Sequence, residues 1–348
     1  MTRTHPLIIF CYAALLMFIG GVTAGDILIG KRIETRDFSG YLIPADQVLD
    51  LGGETISITK PIFCYGEIRN GTIDATGLSQ HEGAIYFLKA AKNPVAANIT
   101  VKGGSYNGAA KVWADGAKII NCSVSAGTGW GVQILGADNG LISGWKQTDT
   151  VRGGIYFGDG TGYGTKTECL NWTVEKSTLI NSRWEAVFRV NTARGLVVRD
   201  CFFDNSKSES GKEAVQPRGR EMTFERCVII GSTSSGQQPN GVKQTSVVKF
   251  IESTIYGYNS VESGGDVTFT RCQLIHRPAW QYNGKIYTLK TPGNGYPITP
   301  QSAARDLPDG KATVMNCTVD AKGVVEPKVS RRVKTENVKH VRGTLRKE

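Results

Sequence analysis

The chain has 348 residues, of which 40% are hydrophobic, 21% are charged and 42 are glycine, and its formal net charge is +10. This apolar content excludes general disorder. The many glycines and the scarcity of long amphipathic helical periodicity predict short strands joined by turns. The length is large for one compact core but ordinary for a repeat protein, which grows without thickening its core.

The first residues predict a secretory signal peptide at 1–24. Arg3 precedes an apolar run at 7–19, and small residues at 22–24 provide a cleavage site. The alternative is an uncleaved anchor, because the apolar stretch approaches the roughly 20 residues that span a bilayer. Gly20 and Gly21 favour cleavage. We therefore expect a secreted, periplasmic or cell-surface protein with no membrane span after cleavage.

An internal repeat determines the predicted fold. Each unit has six positions. The first and sixth positions are apolar, the third is Asn, Gly or a charged residue, and the fourth is Cys, Gly or Ser. The second and fifth positions hold any residue. The second apolar slot has one exception, Gln147. A spacing in the low twenties fits one coil of three short strands. The first apolar slot is filled by Ile68, Val101, Ile119, Ile142, Val174, Val198, Phe224, Phe250, Phe269 and Val314. The repeat predicts an all-β, single-stranded, right-handed parallel β-helix of about ten coils.

The middle of each repeat predicts a bend. Side chains alternate along a strand, yet the two apolar slots lie an odd number of residues apart, so the backbone must turn between them. Asn70, Asn121, Asp200 and Asn316 occupy the turn, and Asn and Asp tolerate the left-handed conformation. The next residue then points inward, and in five coils it is a cysteine: Cys122, Cys201, Cys227, Cys272 and Cys317. A stacked ladder of free thiols is the leading interpretation, and a disulfide such as Cys201–Cys227 is the alternative.

These features divide the chain into four parts. After the signal peptide, residues 25–67 form an N-terminal cap with the first strands, and residues 68–322 form the β-helix with an insertion at 278–308. Residues 323–348 form a basic tail. The tail is either simply solvated or attracted to a polyanion such as an acidic glycan. Export argues against nucleic acid as a partner.

One further strand in each coil predicts a binding surface. Aligning these strands places one outward residue from each coil in a row: Tyr86, Trp113, Gln133, Tyr156, Phe188, Gln216, Lys243 and Glu262. Arg218 lies two residues further on, and the preceding loops add Arg183, Trp184, Glu185, Lys212 and Glu213. Aromatic rings stack on sugars, and charged or amide groups bind hydroxyls and carboxylates. The row predicts a carbohydrate-binding groove, although strand propensity alone also enriches aromatics.

The coil at 68–75, with sequence IRNGTIDA, and the Asn/Cys coils together resemble the pectin-lyase-like superfamily. The resemblance covers residues 43–319 and concerns architecture. It implies a groove along an outer sheet of a protein related to polysaccharide lyases, polygalacturonase-type hydrolases, uronan epimerases or phage tailspikes. The paired aspartates, Asp-His pair and aspartate cluster of the characterised enzymes have no counterpart here, so no catalytic residue is carried over.

The leading functional hypothesis is a lyase that acts on an acidic, uronate-containing polysaccharide. β-Elimination needs a base and a group that neutralises the uronate carboxylate. Lys243 or Lys212 is the expected base, and Arg218 or Arg183 is expected to bind the carboxylate.

Three glutamates carry the remaining hypotheses. Glu185, Glu213 and Glu262 offer oxygen ligands for Ca²⁺, the one candidate cofactor. Glu185 and Glu213 are also the candidate carboxylates of a glycoside hydrolase. The alternative from a different class is a non-catalytic glycan-binding or cell-surface protein, which needs no activated base.

Overall fold

The structure is a computed structural model that describes residues 33–35, 38–79, 81–104, 108–125, 127, 129–158, 160, 168–209, 213–236, 246–288, 295–302 and 308–341. The predicted signal peptide, Lys212, Lys243 and the end of the basic tail lie outside these residues. Within the described ranges, no helix is both long and apolar enough to cross a membrane.

The chain winds through three sheets, and each coil before the last described one contributes one short strand to each sheet. In the first sheet, successive strands pair in parallel and in register, as Ile119 does with Ile142. Parallel strands need a crossover connection, and here the other two strands of the coil provide it. The first sheet contains Val48–Asp50, the first halves of Glu67–Asp74 and Val95–Lys102, Lys118–Ile120, Leu141–Ser143, Thr173–Glu175, Val197–Arg199, Met222–Glu225, Ser246–Ile251, Gly265–Thr270, Lys311–Met315 and Val333–Glu336.

The second sheet follows directly after the bend. It contains Thr55–Ser57, the second halves of Glu67–Asp74 and Val95–Lys102, Ser123–Ser125, Lys146–Thr150, Thr178–Ser182, Phe202–Asp204, Val228–Ile230, Thr254–Tyr256, Gln273–Ile275, Thr318–Asp320 and Lys339–His340. The third sheet begins with an antiparallel pair, Ile33–Thr35 and Phe38–Ile43. It continues in parallel through Ile62–Cys64, Ile85–Phe87, Ala110–Val112, Trp130–Leu135, Gly153–Gly158, Phe188–Val190, Val215–Pro217, Thr233–Ser235, Asn259–Val261 and Ile298–Pro300.

Three smaller elements complete the described structure: the parallel pair Cys169–Leu170 and Ala193–Arg194, the hairpin Ala279–Tyr282 and Lys285–Thr288, and the 3₁₀ helix Pro327–Arg332. The parallel β-helix predicted from the repeat is confirmed. It extends beyond the predicted range at its C-terminal end, because Val333–Glu336 and Lys339–His340 form a further coil inside the expected tail.

The bend between the first and second sheets has the predicted backbone conformation. Asn121 has φ of 51° and Asp200 has φ of 55°. In other coils the same left-handed position holds Arg226 or Glu252, with φ of 49° and 51°. One register was wrong: in the coil with Val101 the bend falls at Asn98, so Val101 is the second apolar residue and pairs with Val124.

Two ladders fill the core. Phe250 stacks between Phe224 and Phe269, with ring centroids 5.0 and 5.2 Å apart. The described residues contain seven cysteines, all buried and all free thiols, so the thiol ladder is confirmed and the Cys201–Cys227 disulfide is absent. The ladder thiols donate to backbone carbonyls of the preceding coil, as Cys122 Sγ does to the carbonyl oxygen of Ala96 at 3.5 Å.

Gln147, the exception in the repeat, points into the core and is only 2% exposed. Trp145, which replaces the small ladder residue of its coil, donates from Nε1 to Gln147 Oε1 at 3.2 Å. Gln147 Nε2 donates to Thr150 Oγ1 at 2.6 Å and to the carbonyl oxygen of Gly153 at 3.0 Å. The buried indole N–H of Trp145 therefore depends on the amide oxygen of Gln147 as its hydrogen-bond acceptor.

The first part of the 278–308 insertion packs on the outer face of the second sheet. The hairpin at 279–288 buries Tyr287 against Ile230, Tyr256 and Ile275. Tyr256 Oη lies within 3.0–3.2 Å of the carbonyl oxygens of residues 277, 278 and 287. The described hairpin of the insertion therefore lies against the second sheet and does not border the groove predicted on the third sheet.

Candidate functional site

The outer face of the third sheet carries two rows of side chains that run along the helix axis. Strand alternation and in-register pairing place equivalent residues of successive coils side by side. The first row is Phe63, Tyr86, Lys111, Gln133, Tyr156, Arg189, Gln216, Ser234, Ser260 and Thr299. The second row, two residues further along each strand, includes Trp113, Leu135, Asn191, Arg218, Glu262 and Gln301.

The N-terminal end of these rows is a closed aromatic cluster. Tyr86 and Trp113 are 0% and 3% exposed, and their rings meet edge to face with centroids 5.6 Å apart. They were predicted to stack on sugars, but burial against each other and Phe63 leaves no open ring face. The ammonium group of Lys111 lies 5.9 and 5.7 Å from the two ring centres, and burial lowers the pKa of Lys111 to about 8. The alignment of successive coils did not place Lys111 on the outer face, because it started this strand two residues too far along the chain.

Tyr156 begins the polar part of the surface. Trp130 stacks on its ring at 4.8 Å, and Asn191 Nδ2 donates to the phenol oxygen at 3.0 Å. Arg189 donates from Nε to Asn191 Oδ1 at 3.1 Å and from Nη1 to Glu185 Oε2 at 2.6 Å. Five side chains from three coils thus form one connected network. Tyr156 and Glu185 were predicted, whereas Arg189 and Asn191 were not.

The predicted outward orientation of Phe188 is wrong. Phe188 pairs with Ile155 and Val215, is 0% exposed and packs in the core. The alignment started from Val187, which is also buried but precedes the strand. A one-residue slip exchanges the two faces of a strand, so Arg189 takes the outward position.

A second polar network lies on the following coils. Gln216 Nε2 donates to Glu213 Oε2 at 2.7 Å. Arg218 Nη2 donates to Glu262 Oε1 at 3.3 Å, and the Ser234 hydroxyl donates to the same oxygen. Four of these five residues were predicted for the site, and the structure brings them together.

Asn205 joins the loops that carry the two candidate carboxylates. It is buried, and its Nδ2 donates to the backbone carbonyl oxygens of Glu185 at 3.2 Å and Glu213 at 3.0 Å. Its Oδ1 accepts from the backbone N–H of Ser182 at 2.8 Å. The backbones of Glu185 and Glu213 are therefore adjacent, as the sequence alignment predicted.

Two more residues near these networks were missed. The pKa of Arg152 is lowered, first by burial and then by the charge of Arg189, while the nearby Glu185 opposes the shift. The pKa of Tyr258 is raised by burial and by the negative charge of Glu213. Both lie in turns next to the strands, where no alternation pattern indicates which way a side chain points.

Arg183 and Trp184 lie at the edge of the surface. Trp184 is 52% exposed, and the guanidinium carbon of Arg183 lies 5.7 Å from its ring centre. Arg183 Nε also donates to Glu209 Oε2 at 2.6 Å. Among the aromatic residues predicted for the site, Trp184 has the largest exposed fraction.

The expected metal ligands have other partners. Glu185 is paired with Arg189, Glu213 with Gln216, and Glu262 with Arg218. Within the residues that the structure describes, no three His, Cys, Asp or Glu side chains are grouped so as to hold a metal ion. Lys212 and Lys243, the predicted bases, lie outside those residues.

Comparison with solved structures identifies the architecture. The chain matches the catalytic domain of a GH87 α-1,3-glucanase variant in complex with tetrasaccharides, at 9% identity and a TM-score of 0.52, over 84% of this chain and 63% of that domain. The chain has a parallel β-helix fold. It also matches the periplasmic alginate epimerase AlgG, at 11% identity and a TM-score of 0.42, over 84% of this chain and 74% of that one. The Streptococcus pneumoniae surface protein and adhesin PfbA matches at 9% identity and a TM-score of 0.48, over 84% and 88% of the two chains.

These similarities are similarities of fold. The chain spans 61% and 64% of two further catalytic domains that it matches, those of Agl-KA and of a GH87 α-1,3-glucanase in complex with nigerose. No protein-family model and no curated protein sequence matches the chain.

Proposed function

We propose that the protein is exported and acts on an acidic, uronate-containing polysaccharide, which it cleaves by β-elimination. The observation that carries the proposal is a pair of arginines on neighbouring coils. Arg189 lies on the outer face of the third sheet, and Arg152 lies in the turn before the strand that pairs with it. Trp184, which is 52% exposed, precedes Glu185, the partner of Arg189. Arginine binds carboxylates with two parallel hydrogen bonds, and an exposed indole ring packs on a sugar.

Proteins of the same fold support a glycan as ligand. The GH87 α-1,3-glucanase domain holds tetrasaccharides, and AlgG is an alginate epimerase. The lyase assignment comes from the arginines of this chain rather than from these proteins, because similarity at this level of identity indicates fold and not reaction.

The proposed reaction uses the groups at this surface in distinct roles. A base removes the C5 proton of the uronate, the electron pair forms the C4=C5 double bond, and the C4–O bond breaks as the leaving oxygen takes up a proton. Arg189 and Arg152 would stabilise the charge that develops on the carboxylate next to C5. Tyr258 carries its phenol proton near neutral pH, as tyrosine does at its ordinary pKa of 10.0 and all the more where burial and Glu213 raise that pKa, and it would supply the proton to the leaving oxygen. Lys243 and Lys212 remain the predicted bases.

The test is a panel of uronate and sulfated polysaccharides, assayed with and without Ca²⁺. We expect absorbance of unsaturated uronate to rise together with reducing ends. Arg189→Ala should weaken binding of the cleaved polysaccharide about 10- to 100-fold, because a hydrogen bond to a charged group contributes roughly 1.5–3 kcal/mol. The matched control is Arg226→Ala, which also removes an ion-paired arginine, but at the bend between the first and second sheets.

Two other results would point to the alternatives. Reducing ends without absorbance would indicate a glycoside hydrolase, which the adjacency of Glu185 and Glu213 through Asn205 favours. Binding without any product would indicate a non-catalytic glycan-binding protein. Loss of binding in Arg226→Ala equal to that in Arg189→Ala would contradict the proposed location of the site.

A further inference from the structure

Two polar atoms of the second network have no hydrogen-bond partner within the described part of the chain. Gln216 lies on the outer face of the third sheet and is 4% exposed. Its Nε2 donates to Glu213 Oε2 at 2.7 Å, and its Oε1 is one of the two unpaired atoms. The other is Arg218 Nε, although Nη2 of the same side chain donates to Glu262. Buried polar atoms are rarely left unpaired in folded proteins, so these two atoms indicate a binding site for another molecule.

The backbone places the two unpaired atoms on one face. The N–H of Arg218 donates to the carbonyl oxygen of Val190 at 3.0 Å, so residues 216–218 stay extended and their two polar side chains leave the sheet on the same side. Two residues along a parallel strand lie about 6.6 Å apart, a spacing that a single sugar ring bridges. The guanidinium of Arg218 is held at its far end by Glu262, so Nε is fixed before a ligand binds.

Small residues form the surface beside these side chains. The strand Thr233–Ser235 lies between the coils of Arg218 and Glu262, so the arginine reaches the glutamate across Ser234 and Gly236. A Cβ at Gly236 would lie 2.9 Å from the carbonyl oxygen of Glu262, which is too close for any side chain. Arg218 and Glu262 keep 20% and 16% of their side-chain surface exposed, so a ligand can approach from the solvent next to them.

The chemistry of the two atoms selects the group that binds. Gln216 Oε1 accepts and needs a donor, whereas Arg218 Nε donates and needs an acceptor. A hydroxyl can serve as either, so two hydroxyls of one sugar ring satisfy both atoms. An ionised carboxylate has no hydrogen to donate, and a hydroxyl that carries a sulfate or acyl group has lost its own. Gln216 therefore discriminates between a free hydroxyl and a substituted one.

We propose that Gln216 and Arg218 form a sugar subsite that recognises two free hydroxyl groups of one ring. The ligand is a polysaccharide whose hydroxyls at this position carry no sulfate or acyl group. Gln216 pairs directly with Arg189, so the subsite lies one coil, about 4.8 Å, from the arginine assigned to the uronate carboxylate. This inference rests on the proposed function and adds the substitution pattern of its substrate.

The experiment uses oligosaccharides of galacturonate, of mannuronate and of hyaluronan, each with free hydroxyls and after O-acetylation, in isothermal titration calorimetry. Acetylation removes the hydroxyl hydrogen and leaves the carboxylate charge unchanged. We expect the wild type to bind at least one unsubstituted oligosaccharide, and to bind its acetylated form about tenfold more weakly or worse. In Gln216→Leu the affinity for the unsubstituted form should fall by a similar factor. Acetylation should then have little further effect, because the acceptor for the hydroxyl is gone.

Two matched controls separate this role from a general loss of structure. Gln273→Leu makes the same change at an exposed glutamine on the second sheet and should leave both affinities unchanged. Arg218→Lys keeps a cation beside Glu262 but lacks Nε, so it should weaken binding of the unsubstituted oligosaccharide several-fold. It tests the subsite even if Gln216→Leu does not fold. Its own control is Arg226→Lys, at an exposed bend.

Equal affinity of the wild type for the free and acetylated forms would overturn the inference and leave the proposed function standing. The inference also fails, with the proposed function intact, if Gln216→Leu keeps the full preference for the free form. The same holds if Gln216→Leu and Arg218→Lys both bind the unsubstituted oligosaccharide as tightly as the wild type. Failure to bind any unsubstituted uronate oligosaccharide would overturn the proposed function and the inference with it.

Discussion

Replacing Gln147 by leucine should destabilise the protein, although it restores the residue type found at this slot in the other coils. The amide accepts from Trp145 and donates to Thr150 and to the carbonyl of Gly153. Leucine makes none of these bonds. Thr150 Oγ1 still donates to the Gly153 carbonyl at 3.1 Å, so the indole N–H of Trp145 is the group left without a partner.

The magnitude follows from these contacts. Three hydrogen bonds at about 1 kcal/mol each amount to roughly 3 kcal/mol. The more apolar leucine side chain recovers about 1 kcal/mol of burial. We therefore expect Gln147→Leu to lower the free energy of unfolding by about 2 kcal/mol.

Urea unfolding followed by circular dichroism measures this change. Trp145→Phe supplies the second arm of a double-mutant cycle, because it removes the indole N–H and keeps an aromatic ring. In the Trp145→Phe background, Gln147→Leu should cost about 1 kcal/mol less than in the wild type. A Gln147→Leu protein as stable as the wild type, or additive effects of the two substitutions, would refute this account of the network.

Three further predictions concern the core, the thiols and the insertion. Phe250→Ala should lower the free energy of unfolding by about 3–5 kcal/mol, whereas the exposed neighbour Lys249→Ala should change it by less than about 0.5 kcal/mol in the same urea assay. Burial raises the pKa of Cys122 from 9.0 to about 11, so the unfolded state loses this proton first and stability should fall as pH rises between those values. Cys122→Val should show a shallower loss of stability over that pH range, and an unchanged slope would contradict the shift. Tyr256→Phe removes the hydroxyl that reaches three carbonyls of the insertion, so limited proteolysis should cut the hairpin at 279–288 faster, and an unchanged rate would count against this anchor.

Bends and ladders were predictable from the sequence because their requirements are local. A left-handed position favours asparagine, aspartate or glycine, and Asn121 and Asp200 were identified for that reason, although Arg226 and Glu252 occupy it in other coils. The inward residue that follows is small in most coils, which identified Cys122 and Cys201, and Trp145 is an exception. These constraints act on a single residue and its immediate neighbours, so one sequence is enough to recognise them.

Strand register in the third sheet was harder to predict, for two physical reasons. Val187 and Phe188 are both buried, so apolar character did not reveal where strand alternation begins. In later coils the strands consist of polar residues, with Thr233 and Asn259 pointing inward and bonded to each other at 2.7 Å. These strands have no apolar pattern, so the alignment took the segment with Lys243 instead of the strand Thr233–Ser235. Lys111 and Arg189 were missed because of such errors of register, whereas Arg152 and Tyr258 were missed because they lie in turns.

The in-register stacking of coils has a consequence for how such a chain can change in length. Each coil contains its own set of strands and contacts its neighbours through equivalent ladders. Gaining or losing one whole coil of roughly two dozen residues therefore leaves the kinds of contact between the other coils unchanged. The outer rows would shift by one position at the point of the change. A duplication between the coils of Arg189 and Gln216 would therefore separate the two polar networks by one more coil while preserving both. It would alter the spacing of groups that the surface accepts before it alters the fold.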